Sequence, residues 1–84
     1  MEVLYALAKD KTAAYKLTRY QAPDEKGYMA HLHATHRGGA VAECSIKLQS
    51  YTELKVEMLR QKISPEQYQV ELKRLSHART VETR

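Results

Sequence analysis

The stretch Tyr28-Met29-Ala30-His31-Leu32-His33-Ala34-Thr35-His36-Arg37-Gly38-Gly39-Ala40-Val41-Ala42-Glu43-Cys44-Ser45-Ile46-Lys47-Leu48-Gln49 decides how this chain folds. In Ala42–Gln49 the residues Ala42, Cys44, Ile46 and Leu48 alternate with Glu43, Ser45, Lys47 and Gln49. A period of two sends one set to a core and the other to water, so the segment reads as a strand. Tyr28–Thr35 alternates too, with Tyr28, Ala30, Leu32 and Ala34 set against Met29, His31, His33 and Thr35. Between them stands Gly38-Gly39, and glycine adopts the positive φ angles of tight hairpin turns. The two strands are therefore expected to pair antiparallel.

Working back toward the N-terminus, Ala22-Pro23-Asp24-Glu25-Lys26-Gly27 has the composition of a turn. It would link Tyr28–Thr35 to an earlier strand over Ala14–Gln21, where Tyr15, Leu17 and Arg19 alternate with Lys16, Thr18 and Tyr20. Glu2–Ala8 has helical propensity in its alanines and leucines, yet Val3, Tyr5 and Leu7 fit an edge strand across a Lys9–Thr12 turn. The strand is preferred because short connections usually join neighbours in a sheet.

Toward the C-terminus the period changes to that of a helix. Ser50-Tyr51-Thr52-Glu53 fits a capping box, and Ser64-Pro65-Glu66-Gln67 repeats the device with Pro at the first helical position. Two helices follow, about 51–62 and 65–80. Tyr51, Leu54 and Met58 form an apolar stripe on the first, widened by Val56, Leu59 and Ile63; Tyr68, Leu72 and Leu75 form a narrower one on the second. The broad first face is expected to touch both the sheet and the second helix. The expected fold is α+β: an antiparallel β-meander of three to four strands with a C-terminal α-helical hairpin packed on one face. It is a single domain over 1–84, strand-rich over 1–49 and helical over 50–80, with a frayed tail over 80–84.

Leu54 to Leu75, with Lys62-Ile63-Ser64-Pro65-Glu66-Gln67-Tyr68 at its centre, resembles the short helical hairpin called SHOCT, except that Lys62 stands where a glycine commonly precedes the Ile. That resemblance implies self-association or docking on a partner. Asp24-Glu25-Lys26-Gly27-Tyr28 is similar to the strand–turn–strand of HicB-type antitoxins, without the Pro-Asp-Leu-Pro-Gly segment that follows there.

Composition narrows the function. With 84 residues there is room for one small core and little for a deep cleft. Apolar residues at 43% and charged residues at 29% are ordinary globular values. No run approaches the ~18 apolar residues of a membrane span, and Glu2 with the short Val3–Ala8 stretch argues against a secretory signal. The single cysteine, Cys44, rules out an internal disulfide framework and fits a reducing cytosol. The net charge of +4 is spread evenly, with seven basic and five acidic groups in each of 1–49 and 50–84. No basic block marks a dedicated nucleic-acid binder. All six aromatics are tyrosine, which suits the rim of a thin core and also binding surfaces.

Candidate chemistry is sparse. His31 and His33 share one face of their strand, and His36, the third member of H-x-H-x-x-H, has the opposite parity, so no third metal ligand is evident. Cys44 falls on the expected core face among Ala42, Ile46 and Leu48, where a thiol is inert. No nucleophile elbow or phosphate-binding loop occurs, which points away from an enzyme, a cofactor, a metal or a small-molecule substrate. Arg60 and Lys62, then Lys73, Arg74, His77 and Arg79, sit toward helix C-termini, where the macrodipole favours cations.

Two binding classes remain. The first is a non-enzymatic protein-binding module, a regulatory or inhibitory accessory factor of the kind common among phage- and plasmid-encoded chains. It would dock on another protein or on itself as a homodimer, with Tyr51, Met58, Tyr68 and Arg79 as contact residues. The second is a nucleic-acid-binding module that uses the outward sheet face, with Lys16, Tyr20, His31, His33 and Lys47 as contacts.

Overall fold

The computed structural model describes residues 2–20 and 30–82, with side chains of the last helix described up to His77. The expected turn at 22–27, the strand positions at Tyr28 and Met29, and residues 83–84 of the tail lie outside the described residues. Four strands run β1 (Glu2–Leu7), β2 (Ala13–Arg19), β3 (Ala30–His36) and β4 (Val41–Ile46), followed by α1 (Leu48–Arg60) and α2 (Pro65–Glu82). The sheet order is β1-β2-β3-β4 and every pairing is antiparallel. The expected α+β meander with two C-terminal helices is what the structure shows, and Glu2–Leu7 is the edge strand.

Turn chemistry sets the registers. Asp10 Oδ1 accepts the backbone N–H and the hydroxyl of Thr12, at 3.1 and 2.7 Å, and Lys11 takes a left-handed φ of 62° beside it. At the other hairpin Gly38 and Gly39 have φ of 89° and 86°, the region that glycine enters without a Cβ penalty. The His36 N–H donates to the Ala40 carbonyl at 2.7 Å and the Gly39 N–H to the His36 carbonyl at 2.9 Å, closing the expected hairpin.

The two faces of the sheet carry different helices. Leu4, Ala6, Leu17, Ala30 and Ile46 lie on one face and form a cluster with Tyr51 and Met58 of α1, flanked by Tyr15, Leu32 and Leu54. Ala14 lies on the other, with Tyr68 and Leu75 of α2 and the flanking Tyr5, Leu7, Ile63 and Leu72. The rings of Tyr5 and Tyr68 have centroids 4.5 Å apart. The expected stripes Tyr51–Leu54–Met58 and Tyr68–Leu72–Leu75 are thus the buried ones, but the helices do not cover one face together as a hairpin. The connection between them passes over the β1 edge instead. The Leu7 N–H donates to the Gln61 carbonyl at 3.2 Å, the Ile63 N–H to the Tyr5 carbonyl at 2.9 Å, and Lys62 bridges to Ala6. A chain that crosses an edge in extended form arrives on the opposite face.

Helix caps follow the sequence at one end only. Ser64 Oγ accepts the Gln67 N–H at 3.0 Å, so α2 starts where the Ser-Pro-Glu-Gln signal placed it. α1 instead begins at Leu48, capped by the extended Lys47 without a side-chain bond, and Ser50 lies inside the helix. Strand β4 is correspondingly shorter than the expected Ala42–Gln49. Early helix entry turns Leu48 away from the sheet and leaves it 39% exposed.

α2 is held at its middle by a small polar cluster. Glu71 is buried, and its carboxylate accepts from Gln67 Nε2 and from Arg74 Nε at 2.6 Å. The Arg74 guanidinium also donates to the Lys11 carbonyl at 2.7 Å, and the Gly38 N–H donates to the Leu75 carbonyl at 3.0 Å. Both sheet turns at that end therefore grip the helix. Arg74 beside Glu71 is the main reason its carboxyl titrates below the ordinary 4.5. A carboxyl depressed by folding stabilises the fold above its unfolded pKa, and that contribution is lost as pH falls through the folded value. The melting-temperature difference between wild type and Glu71→Gln should therefore be large at about pH 7 and shrink toward about pH 3. Thermal unfolding followed by circular dichroism at both pH values measures it.

Candidate functional site

Among the described residues, the face that carries α2 is covered only toward the β1–β2 and β3–β4 turns. Beyond α2, the register aligns Lys16, His33 and Glu43 in one cross-strand row, and Thr18, His31 and Ser45 in the next. His33 Nδ1 lies 2.6 Å from a Glu43 carboxylate oxygen, and His31 Nε2 lies 3.9 Å from the other. One carboxylate on β4 thus serves two imidazoles on β3, the direct and diagonal partners that an antiparallel pair brings together. His36 pairs with Ala13 and has the opposite parity, so it does not join them. Among the described residues no group of three or more His, Cys, Asp or Glu side chains has a geometry that could hold a metal ion.

This row holds the centre of the expected outward face, since Lys16, His31 and His33 lie together on it. Tyr20 lies just beyond β2 and is 44% exposed, and Lys47 is exposed at the start of α1. Thr35, also expected on the open face, is buried near Tyr68 under α2. Glu43 is the residue that changes the chemistry. It places a negative group between the two histidines that would otherwise meet a phosphate.

The residues expected to contact a protein partner are placed differently. Tyr51 is 2%, Met58 6% and Tyr68 4% exposed. The Tyr51 hydroxyl donates to Glu2, its ring lies 5.5 Å below the Arg19 guanidinium, and Lys55 Nζ closes the group with a 3.0 Å ion pair to Glu2. Burial and the Glu2 contact push the Tyr51 hydroxyl up to about 12. These three side chains are core, because each helix needs its stripe to cover its own face of the sheet. The Arg79 side chain lies outside the described residues. What stays exposed on α1 is the part expected to widen its buried face: Val56 at 52% and Leu59 at 50%, beside Leu48. With α2 on the far side of the sheet, no helix among the described residues covers them.

The expectation of a buried Cys44 is also overturned, for the thiol is exposed. Its strand is the outer one, and α1 leaves β4 to lie against β1, so no element among the described residues covers that flank. Between α1 and the sheet a hollow of about 280 Å³ opens among Ala6, Tyr15, Leu32, Leu54, Glu57, Met58 and Gln61. It lies just below the ~300–1,000 Å³ of typical ligand pockets. Glu43 and Ser45 are exposed as the alternation expected, whereas Ala42 and Cys44, expected in the core, are exposed as well. The signal present was the small size of Ala42, Cys44 and Ser45, which gives a strand little to bury.

The chain matches no protein-family model, no curated protein and no solved structure. The local resemblances to SHOCT and to HicB-type antitoxins therefore carry no family assignment.

Two measurements check this placement. Tyr51→Ala and Tyr68→Ala should each destabilise the fold by about 3–5 kcal/mol, the usual range for deleting a buried ring, in urea unfolding. Cys44 should react with a maleimide in the folded protein about as fast as in urea, whereas a core thiol would be protected by the full stability of the fold.

Proposed function

We propose that this chain is a small non-enzymatic protein-binding module, a cytoplasmic regulatory or inhibitory accessory factor that acts by adding a strand at its open sheet edge. The supporting observation is the contrast between the two edges. The β1 edge is closed by the backbone bonds of Gln61 and Ile63, while every residue of β4 from Val41 to Ser45 is exposed. Edge strands are usually blunted by Pro, Lys, bulges or a covering element. Val41–Ile46 contains no Pro, Lys or bulge, no element among the described residues covers it, and it carries one charge, Glu43. Such an edge offers main-chain hydrogen bonds to an extended segment of a partner, with alternate side chains supplying specificity. No helix among the described residues is long and apolar enough to cross a membrane.

The nucleic-acid reading, through Lys16, Tyr20, His31, His33 and Lys47, is less well supported. Glu43 engages both histidines, and a phosphate there would have to displace a carboxylate of its own sign. Binding to single-stranded DNA, duplex DNA and RNA at about 50 and about 200 mM salt separates the readings, since phosphate contacts weaken steeply with salt. We expect no salt-sensitive binding. Ser45→Pro tests the edge itself: the proline blocks an added strand, so a partner protein captured by wild type should be lost from the variant. Capture that is equal for both, or that nuclease abolishes, overturns the edge reading.

A further inference from the structure

The open edge is close to self-complementary, and we propose that its occupant is a second copy of this chain, joined by antiparallel β4–β4 pairing about a twofold axis at Ser45. This inference rests on the edge reading above and names the partner.

The hydrogen-bond phase of β4 follows from the hairpin. The His36 N–H donates to the Ala40 carbonyl, so the pair 36/40 is a bonded one. Bonded and non-bonded pairs alternate along an antiparallel ladder. The register Thr35↔Val41, His33↔Glu43 and His31↔Ser45 therefore comprises non-bonded pairs, and the N–H and C=O groups of Val41, Glu43 and Ser45 turn toward the open edge. Lys47 is still extended, with φ −72° and ψ 158°, so its amide continues that row before α1 begins. α1 then runs back over the sheet to β1, and no element among the described residues screens the edge.

Three twofold registers let these groups meet, and charge separates them: an axis at Cys44 sets Glu43 opposite Ser45 and Lys47 opposite Val41, with no pair of opposite charges. An axis at Glu43 would set the one acidic residue of the strand against its own copy, and like charges directly opposite are destabilising. An axis at Ser45 sets Glu43 of each copy opposite Lys47 of the other, on the same face, because 43 and 47 lie symmetrically about 45. It pairs the two Ser45 residues through mutual main-chain bonds, and both Glu43 carbonyls face Lys47 amides. Glu43 Oε2 is taken by His33, while Oε1 is 3.9 Å from His31, which leaves acceptor capacity for an incoming ammonium. The result is one continuous eight-stranded sheet built from two four-stranded ones.

Sedimentation equilibrium on wild type, Glu43→Lys, Lys47→Glu, the double variant Glu43→Lys/Lys47→Glu and Ser45→Pro tests the proposal. Wild type should dimerise. Each single reversal should weaken the dimer roughly tenfold, because it acts at two symmetric positions, and the double variant should recover most of the loss. Ser45→Pro should be monomeric, with far-UV circular dichroism like that of wild type. Loss of the Glu43–His33 contact within one copy cannot produce recovery in the double variant, so recovery isolates the contact between copies. A wild type that stays monomeric at several hundred micromolar (roughly the concentration at which weak pairs still associate), or a double variant as weak as the singles, overturns self-pairing. The edge reading falls separately, when Ser45→Pro leaves partner capture unchanged.

Discussion

Everything else in this fold depends on how residues 61–63 cross the β1 edge. Two main-chain hydrogen bonds, from Leu7 to Gln61 and from Ile63 to Tyr5, hold the connection extended against the first strand. Because the crossing is extended and short, the chain enters it on one face of the sheet and leaves it on the other. Each helix must then cover a face alone. A four-stranded sheet is wider than one helix, so among the described residues each face keeps an uncovered portion, and both portions include β4. The bare outer strand, the exposed thiol and the open histidine row are three consequences of one connection.

The thin layers this creates explain the residue types inside. Alanine occupies the close approaches, at Ala6, Ala13, Ala14, Ala30 and Ala34, while the larger contributions come from Leu17, Leu75 and the tyrosines. Small residues let a helix lie near the sheet, and a tyrosine fills the space at the rim while its hydroxyl meets a polar group. Tyr51 does this with Glu2. Glu71 is the corresponding polar insertion on the other face. It is tolerable because Gln67 and Arg74 satisfy its carboxylate, and Arg74 extends the network to the β1–β2 turn. An unpartnered carboxylate at that depth would destabilise the fold strongly.

The sequence carried the strands and the helical stripes legibly because both are periodic: β3 and β4 alternate around a glycine pair, and Tyr68, Leu72 and Leu75 recur at helical spacing. The second cap was legible as well, since Ser64 and Pro65 act locally. The first cap was not. Ser50 offered a capping side chain, yet the strand ended at Ile46 and the helix began earlier, a choice made by where α1 must start to reach β1. Face assignment beyond one strand failed for the same kind of reason. Period shows that Cys44 and Ile46 share a side, and Ile46 is indeed buried, but only the path of α1 decides that Cys44 is not. For the candidate site, the shared face of His31 and His33 followed from the period of β3, whereas the partnership of Glu43 with His33 and the exposure of Val56 and Leu59 required the register and the parting of the helices.

The crossing has one more consequence, which concerns the order in which the chain is made. β1 is synthesised before every element it will contact, and its hairpin with β2 forms early from neighbouring residues. Its outer edge, however, is closed only by residues 61–63, about three-quarters of the way along the 84 residues. Contacts so distant in sequence form late and slowly relative to local ones. During synthesis the nascent sheet therefore carries two open edges rather than one. The completed molecule keeps the β4 edge and loses the other, so an interaction with the β1 edge belongs only to the unfinished chain.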